Sequence, residues 1–328
     1  MGKYSLDAFE RYPLTKLRPK MAAPEVRATP LVSLALPALP DRVPPGSLLR
    51  LTWREALPDA ASVQALRALC RSGPPAGIIA GGNGCPDPAA LDAALRESFP
   101  DVPVFTAPDD PLMSYGNSGL FLDLSRGVLP LRLAVAKHHL EALWRRRPVC
   151  VYSGTPLDAE ALEAVRRWHC SFCNVPAIFG AQLTLRRLMF PRDLTAGASA
   201  PFRMWWQNLG PAPLYAEAVP RLAVAYHGKP VFLTGECRMT VSMGDAVCNA
   251  VFTLPDLPDG EFPLLCALES NGQRQRLCMD VPGMDGLYAI GTVHLDHTSR
   301  PYLRTMWQEQ YADGYYPLED PAEPEKGG

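Results

Sequence analysis

The sequence predicts an α/β plus all-β fold: a shortened or partial (β/α) barrel followed by an antiparallel β-sandwich. Three observations predict it. Between residues 47 and 190, short apolar runs alternate with amphipathic stretches at helical spacing, as parallel βα units with right-handed crossovers do. Beyond Gly197 the pattern changes to roughly six to eight short strands separated by turns, within about 100 residues. A complete eight-unit barrel takes about 250 residues, so the five or six units counted here make a shortened one. The expected division is a Pro-rich lead-in (1–46), the barrel-like unit (47–196), the sandwich (197–298) and a C-terminal tail (299–328). The tail's last part, rich in Glu, Pro and Gly, reads as disordered.

Composition bounds the partners. In 328 residues, 47% are hydrophobic and 20% charged, enough for substantial cores. The net charge is −2 without a basic stripe, which argues against nucleic acid. No run approaches the roughly 20 apolar residues that span a bilayer, and Met1–Lys20 lacks the apolar core of an export signal, so a cytoplasmic protein without a membrane partner is expected. The nine cysteines follow no framework spacing and read as reduced, mostly buried thiols.

In chain order, Leu31–Leu36 and Ser47–Glu55 read as strands, Ser62–Arg71 as a helix, and Gly77–Ala80 as a strand entering the glycine-rich turn Gly81–Gly84. The alternation continues with Pro88–Phe99 (helix), Val102–Ala107 (strand), Gly119–Leu124 (strand) and Leu131–Arg146 (helix). Pro148–Ser153 (strand), Asp158–Trp168 (helix) and Ala181–Leu188 (a last helix) complete the unit. The sandwich opens on Phe202–Gln207, with Met204 and Trp206 on one face and Arg203, Trp205 and Gln207 on the other. Asn208-Leu209-Gly210-Pro211 breaks that strand, and Leu214-Tyr215 tucks the chain back onto the sheet. Strands at 221–226, 230–234, 249–254, 261–269, 276–279 and 286–294 follow, with Asn271-Gly272 as a hairpin signal.

Few motifs carry chemistry. Gly81–Gly84 lacks both phosphate-loop fingerprints and reads as a flexible βα loop. His169, Cys170 and Cys173 fall short of a tetrahedral zinc set, so no metal or other cofactor is expected. Ser153-Gly154 misses the nucleophile-elbow pattern, and His294 and His297 read as surface loop residues. Trp53-Arg54-Glu55, at a strand end, has the composition of a sugar-binding edge and equally that of a packed tryptophan beside a rim ion pair. Asp109, Asp110 and Asp123 fall at strand exits, where paired carboxylates serve acid–base chemistry and single ones cap turns.

Four blocks in the last third carry a resemblance. They are Trp206–Tyr215, Leu257–Phe262, Arg276–Met279 and Asp285–Gly291. In order and spacing they resemble the closing sandwich of a glycoside-hydrolase-like family in which a (β/α) barrel precedes a β-sandwich. Arg167–Asn174 is similar to that family's Trp-His-x-Ser-x-x-Asn stretch, and Arg50–Glu55 to its first barrel strand. The resemblance covers roughly residues 47–296. The family's Trp-Gly-Glu stretch has no counterpart here, and where many members carry Pro-Val followed shortly by Glu at a late strand, Pro148–Ser153 has Tyr152-Ser153 in place of the acid. Glycoside hydrolysis by the usual routes needs two carboxylates.

The resemblance therefore implies a carbohydrate-associated protein with a degenerate, non-hydrolytic barrel and a saccharide ligand. Its implied pocket is Arg50, Trp53, Asp123, Tyr152, His169 and Asn174. An active hydrolase using a non-standard pair from Glu55, Asp109 and Asp123 is the second expectation. A non-catalytic scaffold is the third, meeting a partner protein through Trp205, Tyr215, Trp307 and Tyr315-Tyr316.

Overall fold

A computed structural model describes residues 14–36, 42–53, 65–68, 70, 73–81, 87–284 and 286–299. β1 (Leu14–Leu17) is followed by seven parallel strands: β2 (Leu31–Leu36), β3 (Leu48–Trp53), β4 (Gly77–Ile79), β5 (Val104–Thr106), β6 (Gly119–Asp123), β7 (Val149–Tyr152) and β8 (Phe172–Cys173). They pair strictly in chain order, each with the next, as in a singly wound barrel that stops before closing. One face packs under the helices α1 (Pro88–Ser98), α2 (Val128–Lys137) and α3 (Ala159–Arg167). There Leu91 and Leu95 meet Leu49, Ile78 and Val104, while Leu131, Val135 and Val165 meet Leu120, Leu122, Val149 and Val151. Asp87 and Asp158 cap α1 and α3, each accepting from a backbone N–H three residues on.

The other face is concave, and the reason is steric. Phe105, at the middle of the sheet, projects between Gly77 on β4 and Gly119 on β6, and a Cβ at either glycine would collide with its ring. Leu48, Ile79, Phe121 and Cys150 complete this inner cluster, with Phe172 edge-on to Phe105 at 5.6 Å.

The sandwich has one four-stranded sheet, ordered β1–β9–β11–β14. It contains β9 (Leu183–Pro191), β11 (Ser199–Asn208) and β14 (Gly244–Thr253). Facing it is a seven-stranded sheet with the path β10–β18–β15–β12–β13. Its strands are β10 (Asp193–Thr195), β12 (Ala218–Tyr226), β13 (Lys229–Phe232), β15 (Gly260–Ser270) and β18 (Leu287–Asp296), with β16 (Gln273–Arg274) and β17 (Gly283–Met284) at its margin. Phe190, Phe202, Trp206 and Phe252 from the first sheet meet Leu222, Leu264, Cys266 and Leu295 from the second. Each such side chain contributes about 1.5–3 kcal/mol by leaving water. As expected, Met204 and Trp206 are fully buried and Arg203, Trp205 and Gln207 face outward. The hairpin turn at Asn271-Gly272 has both residues at positive φ, as a two-residue hairpin loop requires.

Four expectations are corrected. Residues 181–188 are not a helix but lead into β9, which pairs with both β1 and β11. The helix expected over 131–146 ends at Lys137, where His139 turns left-handed at φ 55°. Residues 276–279 form no strand, only isolated bridges from Leu277 to Leu183 and from Met279 to Met21. Cys237 and Cys248 are disulfide-bonded, so not all nine cysteines are thiols. Strand bridges Ala218–Met239 and Thr234–Thr253 fold the preceding loop back beside β14, a proximity that sequence spacing does not reveal. The six free cysteines among the described residues are buried. No described helix is long and apolar enough to cross a membrane.

Asn208, at the end of β11, anchors the junction between sandwich and parallel sheet. Its side-chain oxygen accepts from the N–H groups of Gln182 and Gly210, and its amide nitrogen donates to the carbonyls of Ala212 and Ser242. Gly210 lies so close to the Gly180 carbonyl that no Cβ fits. The stretch 208–215 is thereby a structural hub. Its Tyr215 reaches across to donate to the Trp144 carbonyl at 2.7 Å.

Candidate functional site

The alternation of side chains along a strand puts Leu48 and Arg50 on one face of β3, Phe121 and Asp123 on one face of β6, and Cys150 and Tyr152 on one face of β7. Asp123 and Tyr152 stand at the C-terminal ends of their strands, the end at which (β/α) barrels place their sites, while Arg50 projects from the middle of β3. In a flat sheet β3 and β6 would lie about 14 Å apart, beyond the reach of an arginine. Curling brings them together. Arg50 Nη2 donates to Asp123 Oδ2 at 3.3 Å, and its guanidinium carbon lies 5.0 Å from the centre of the Tyr152 ring and 5.5 Å from that of Phe121. A cation over two ring faces beside a carboxylate is the centre of the candidate site.

Asp123 is doubly engaged. Its other oxygen accepts from the Ser125 N–H at 3.0 Å and caps the short turn that follows β6. Asp109, after β5, is held by both terminal nitrogens of Arg126 at 3.4 Å. Partial burial works to raise its carboxyl, and the hydrogen bond and charge of Arg126, with help from its own backbone and His138, outweigh that and hold it below the ordinary value. Asp110 is buried and caps the turn over Pro111–Tyr115 through the Leu112 N–H. Among the described carboxylates at strand exits, none is placed as an unengaged acid.

Asn174, just past β8, shares this end of the sheet. Its amide is spent on the backbone of Ser153, accepting from the N–H and donating to the carbonyl, each at 2.8 Å. It fixes the mouth rather than facing into it. Ser153 itself forms a local turn through Thr155.

His169 does not join the cluster, which corrects its expected place. It lies between α3 and β8, hence at the N-terminal end of the strands. Its Nδ1 is 2.7 Å from the Pro211 carbonyl and its ring stacks on Trp144 at 3.6 Å. Trp53 ends β3, but its side chain, like Glu55, lies outside the described residues. Phe121 was not among the expected residues; the signal for it was its position two residues before Asp123 on the same strand face. Among the described residues, no group of three or more His, Cys, Asp or Glu is arranged to hold a metal.

Two of the expected protein-contact aromatics are described, and Tyr215 is exposed. Trp205 lies under the guanidinium groups of Arg186 and Arg187 at 5.1 and 5.4 Å, and Tyr215 is bonded to Trp144. Trp307 and Tyr315-Tyr316 lie outside the described residues.

No protein-family model and no curated protein matches this chain. Among solved structures, it is distantly similar to a β-glucosidase from Listeria innocua in complex with glucose, at 10% identity and a TM-score of 0.26. The match covers 86% of this chain and 48% of that one, so the chain spans about half the enzyme's length. A CARDB domain from Pyrococcus furiosus matches at 12% identity and a TM-score of 0.24, over 35% of this chain and 93% of that one. The alkylpurine DNA glycosylase of Pseudomonas fluorescens matches at 14% identity and a TM-score of 0.22, over 72% and 51%. Similarity at this level carries no argument about function.

Proposed function

We propose that this is a carbohydrate-associated protein whose glycosidase-like half-barrel binds a saccharide at the C-terminal ends of its strands without hydrolysing it, with the β-sandwich as an accessory layer. The observation that carries the reading is Arg50, held among Phe121, Asp123 and Tyr152 on the concave face. Aromatic faces accept the apolar side of a sugar ring, while a guanidinium and a carboxylate in fixed register take its hydroxyls. Among the described residues Arg50 makes one hydrogen bond, to Asp123, which leaves further N–H donors for a ligand. The resemblance of Arg50–Glu55 and Arg167–Asn174 to the glycoside-hydrolase-like family points the same way.

The non-hydrolytic part rests on the carboxylates. Asp109 and Asp123 are both ion-paired, whereas hydrolysis needs one carboxyl held protonated opposite one that stays ionised. The reading that keeps activity would need Glu55 as the protonated member, since the ion pairs hold Asp109 and Asp123 in the ionised form.

A thermal-shift panel of mono- and oligosaccharides tests the proposal. A ligand that binds only the folded state stabilises it by about 2.7 kcal/mol at 100 times its dissociation constant. One sugar class is expected to raise the melting temperature of the wild type and to lose that effect in Arg50→Ala and Tyr152→Ala, with no cleavage product on prolonged incubation. Absence of any shift at millimolar sugar overturns the binding, and released product overturns the non-hydrolytic part.

A further inference from the structure

A cavity lies at the opposite end of the parallel strands from the Arg50 cluster. It is a cleft of about 410 Å³ between the sheet and the sandwich, a volume in the range of small-molecule sites. Its floor is the N-terminal ends of the strands, including Pro30, Gly46 and Ala76, and its roof is Pro213–Tyr215 with Gln275, the residue after β16. Phe172 and Phe179 give it an apolar wall. Of its fifteen lining residues Arg27 alone carries a formal charge, and no Asp or Glu lines it.

Arg27 is held in place before any ligand arrives. Its backbone exchanges two hydrogen bonds with Ala177, both at 2.9 Å. Its Nη2 donates to the Phe179 carbonyl at 2.9 Å, and the guanidinium stands 5.3 Å from the Phe179 ring centre. Gly180, at φ 71°, gives the head group room, since a Cβ there would crowd Nη2. No carboxylate pairs with Arg27 among the described residues, and its Nε has no hydrogen-bond partner. A half-buried cation without a counter-ion, fixed at the edge of an aromatic wall, is an incomplete ion pair. The neighbouring phenol does not supply the anion: burial pushes Tyr215 up to about 12, so it stays neutral while donating to Trp144.

We propose that this cleft binds a small organic carboxylate with a flat apolar body, the carboxylate on the Arg27 guanidinium and the body against Phe172 and Phe179. A planar guanidinium pairs with a carboxylate through two parallel hydrogen bonds, which fixes orientation as well as charge. Thr29 and Gln275, on the same lining, offer hydroxyl and amide groups to polar substituents. This site is separate from the Arg50 cluster, so either proposal stands or falls without the other.

The test uses phenylacetate and cinnamate as probes, with phenylacetamide and inorganic phosphate as controls, read by calorimetry and ligand-observed NMR on the full chain. The carboxylates are expected to bind the wild type at least tenfold more tightly than the amide or phosphate. Arg27→Gln is expected to abolish that preference. Ala28→Trp, at an exposed lining position that tolerates bulk, is expected to block binding while the melting temperature holds, and Arg50→Ala to leave it intact. Equal binding of amide and carboxylate, phosphate binding as tight as the aromatic acids, no binding at about 10 mM, or binding unaffected by Ala28→Trp would each overturn the proposal.

Discussion

Asn174 and Ser153 form a closed ring of two hydrogen bonds, side-chain amide to backbone N–H and carbonyl, that ties the end of β8 to the end of β7. β8 borders the open side of the half-barrel, and the ring continues its pairing with β7 beyond the two residues of β8. Asn174→Asp keeps the acceptor, loses the donor and sets a carboxylate against the Ser153 carbonyl. We expect it to cost about 1–3 kcal/mol in urea unfolding. Any loss of saccharide binding in this variant should be recovered once the folded fraction is corrected for, because Asn174 acts by positioning.

The glycines beside Phe105 give a second prediction with an internal control. Gly77→Ala would place its Cβ against the Phe105 ring, and Gly119→Ala against both that ring and the Pro148 carbonyl. Both should destabilise by about 1–3 kcal/mol, as overpacking does. Phe105→Leu should partly rescue Gly77→Ala in a double-mutant cycle and leave Gly119→Ala unrescued, since backbone does not yield. Equal rescue of both would mean that Phe105 alone sets the fit.

His297 provides the pH dependence. Its Nδ1 meets Asp259 at 2.6 Å and its Nε2 meets Asp256 at 3.1 Å, joining the exit of β18 to the segment before β15. The bonds to Asp259 and then Asp256 raise its pKa above the ordinary 6.5. A group raised on folding stabilises fully below its unfolded pKa, and that contribution disappears as pH climbs through the folded value. Melting temperature should therefore carry a component that falls from about pH 6.5 upward. An NMR titration should show the raised pKa, and Asp256→Asn with Asp259→Asn should return it towards 6.5. The imidazole is exposed, so the effect should weaken with added salt.

At the hub, Asn208→Ala would remove the partner of four backbone groups at once, through three buried hydrogen bonds and one partly buried one. We expect a loss of about 3 kcal/mol or more, among the larger effects of a single substitution. Denaturant midpoints for Asn208→Ala beside the surface control Gln273→Ala measure it. A change below about 1 kcal/mol would show that water replaces these bonds.

How much of this was legible follows from particular residues. Asp123 stands out in the sequence because it ends a strand whose apolar run is plain, and strand ends are where βα units expose polar groups, whereas Arg50 and Tyr152 enter through the resemblance. His169 entered the expected pocket through the resemblance alone, and β8, whose start puts it at the opposite end of the sheet, has two residues, too few to see. β9 was read as helix for a sharper reason. Leu183 and Leu185 alternate, but the register slips between Trp205 and Trp206, so that Arg187 and Leu185 face neighbouring residues of β11 and Arg186 is the extra one. That single insertion moves the next buried residue to Leu188, and the spacing of Ala181, Leu185 and Leu188 then mimics a helix. Arg27 left no signal, because its cleft forms only when the sandwich lies against the strand entrances.

The pairing of β1 with β9, from Leu14 opposite Pro191 to Leu17 opposite Leu188, makes the half-barrel an insertion within the sandwich. An emerging chain makes β1 first and must hold it in reserve until the whole parallel sheet has been synthesised. Leu17 also lies against Gly291, so closely that a Cβ there would strike it, and the same short segment therefore touches both sandwich sheets. Shortening the chain from its start to residue 30 would strip the outermost strand and leave β9 as a naked border of unsatisfied amides and carbonyls, ready to recruit another molecule. An early, inconspicuous segment of this polypeptide thus covers the nine-residue border of β9 with a strand of only four.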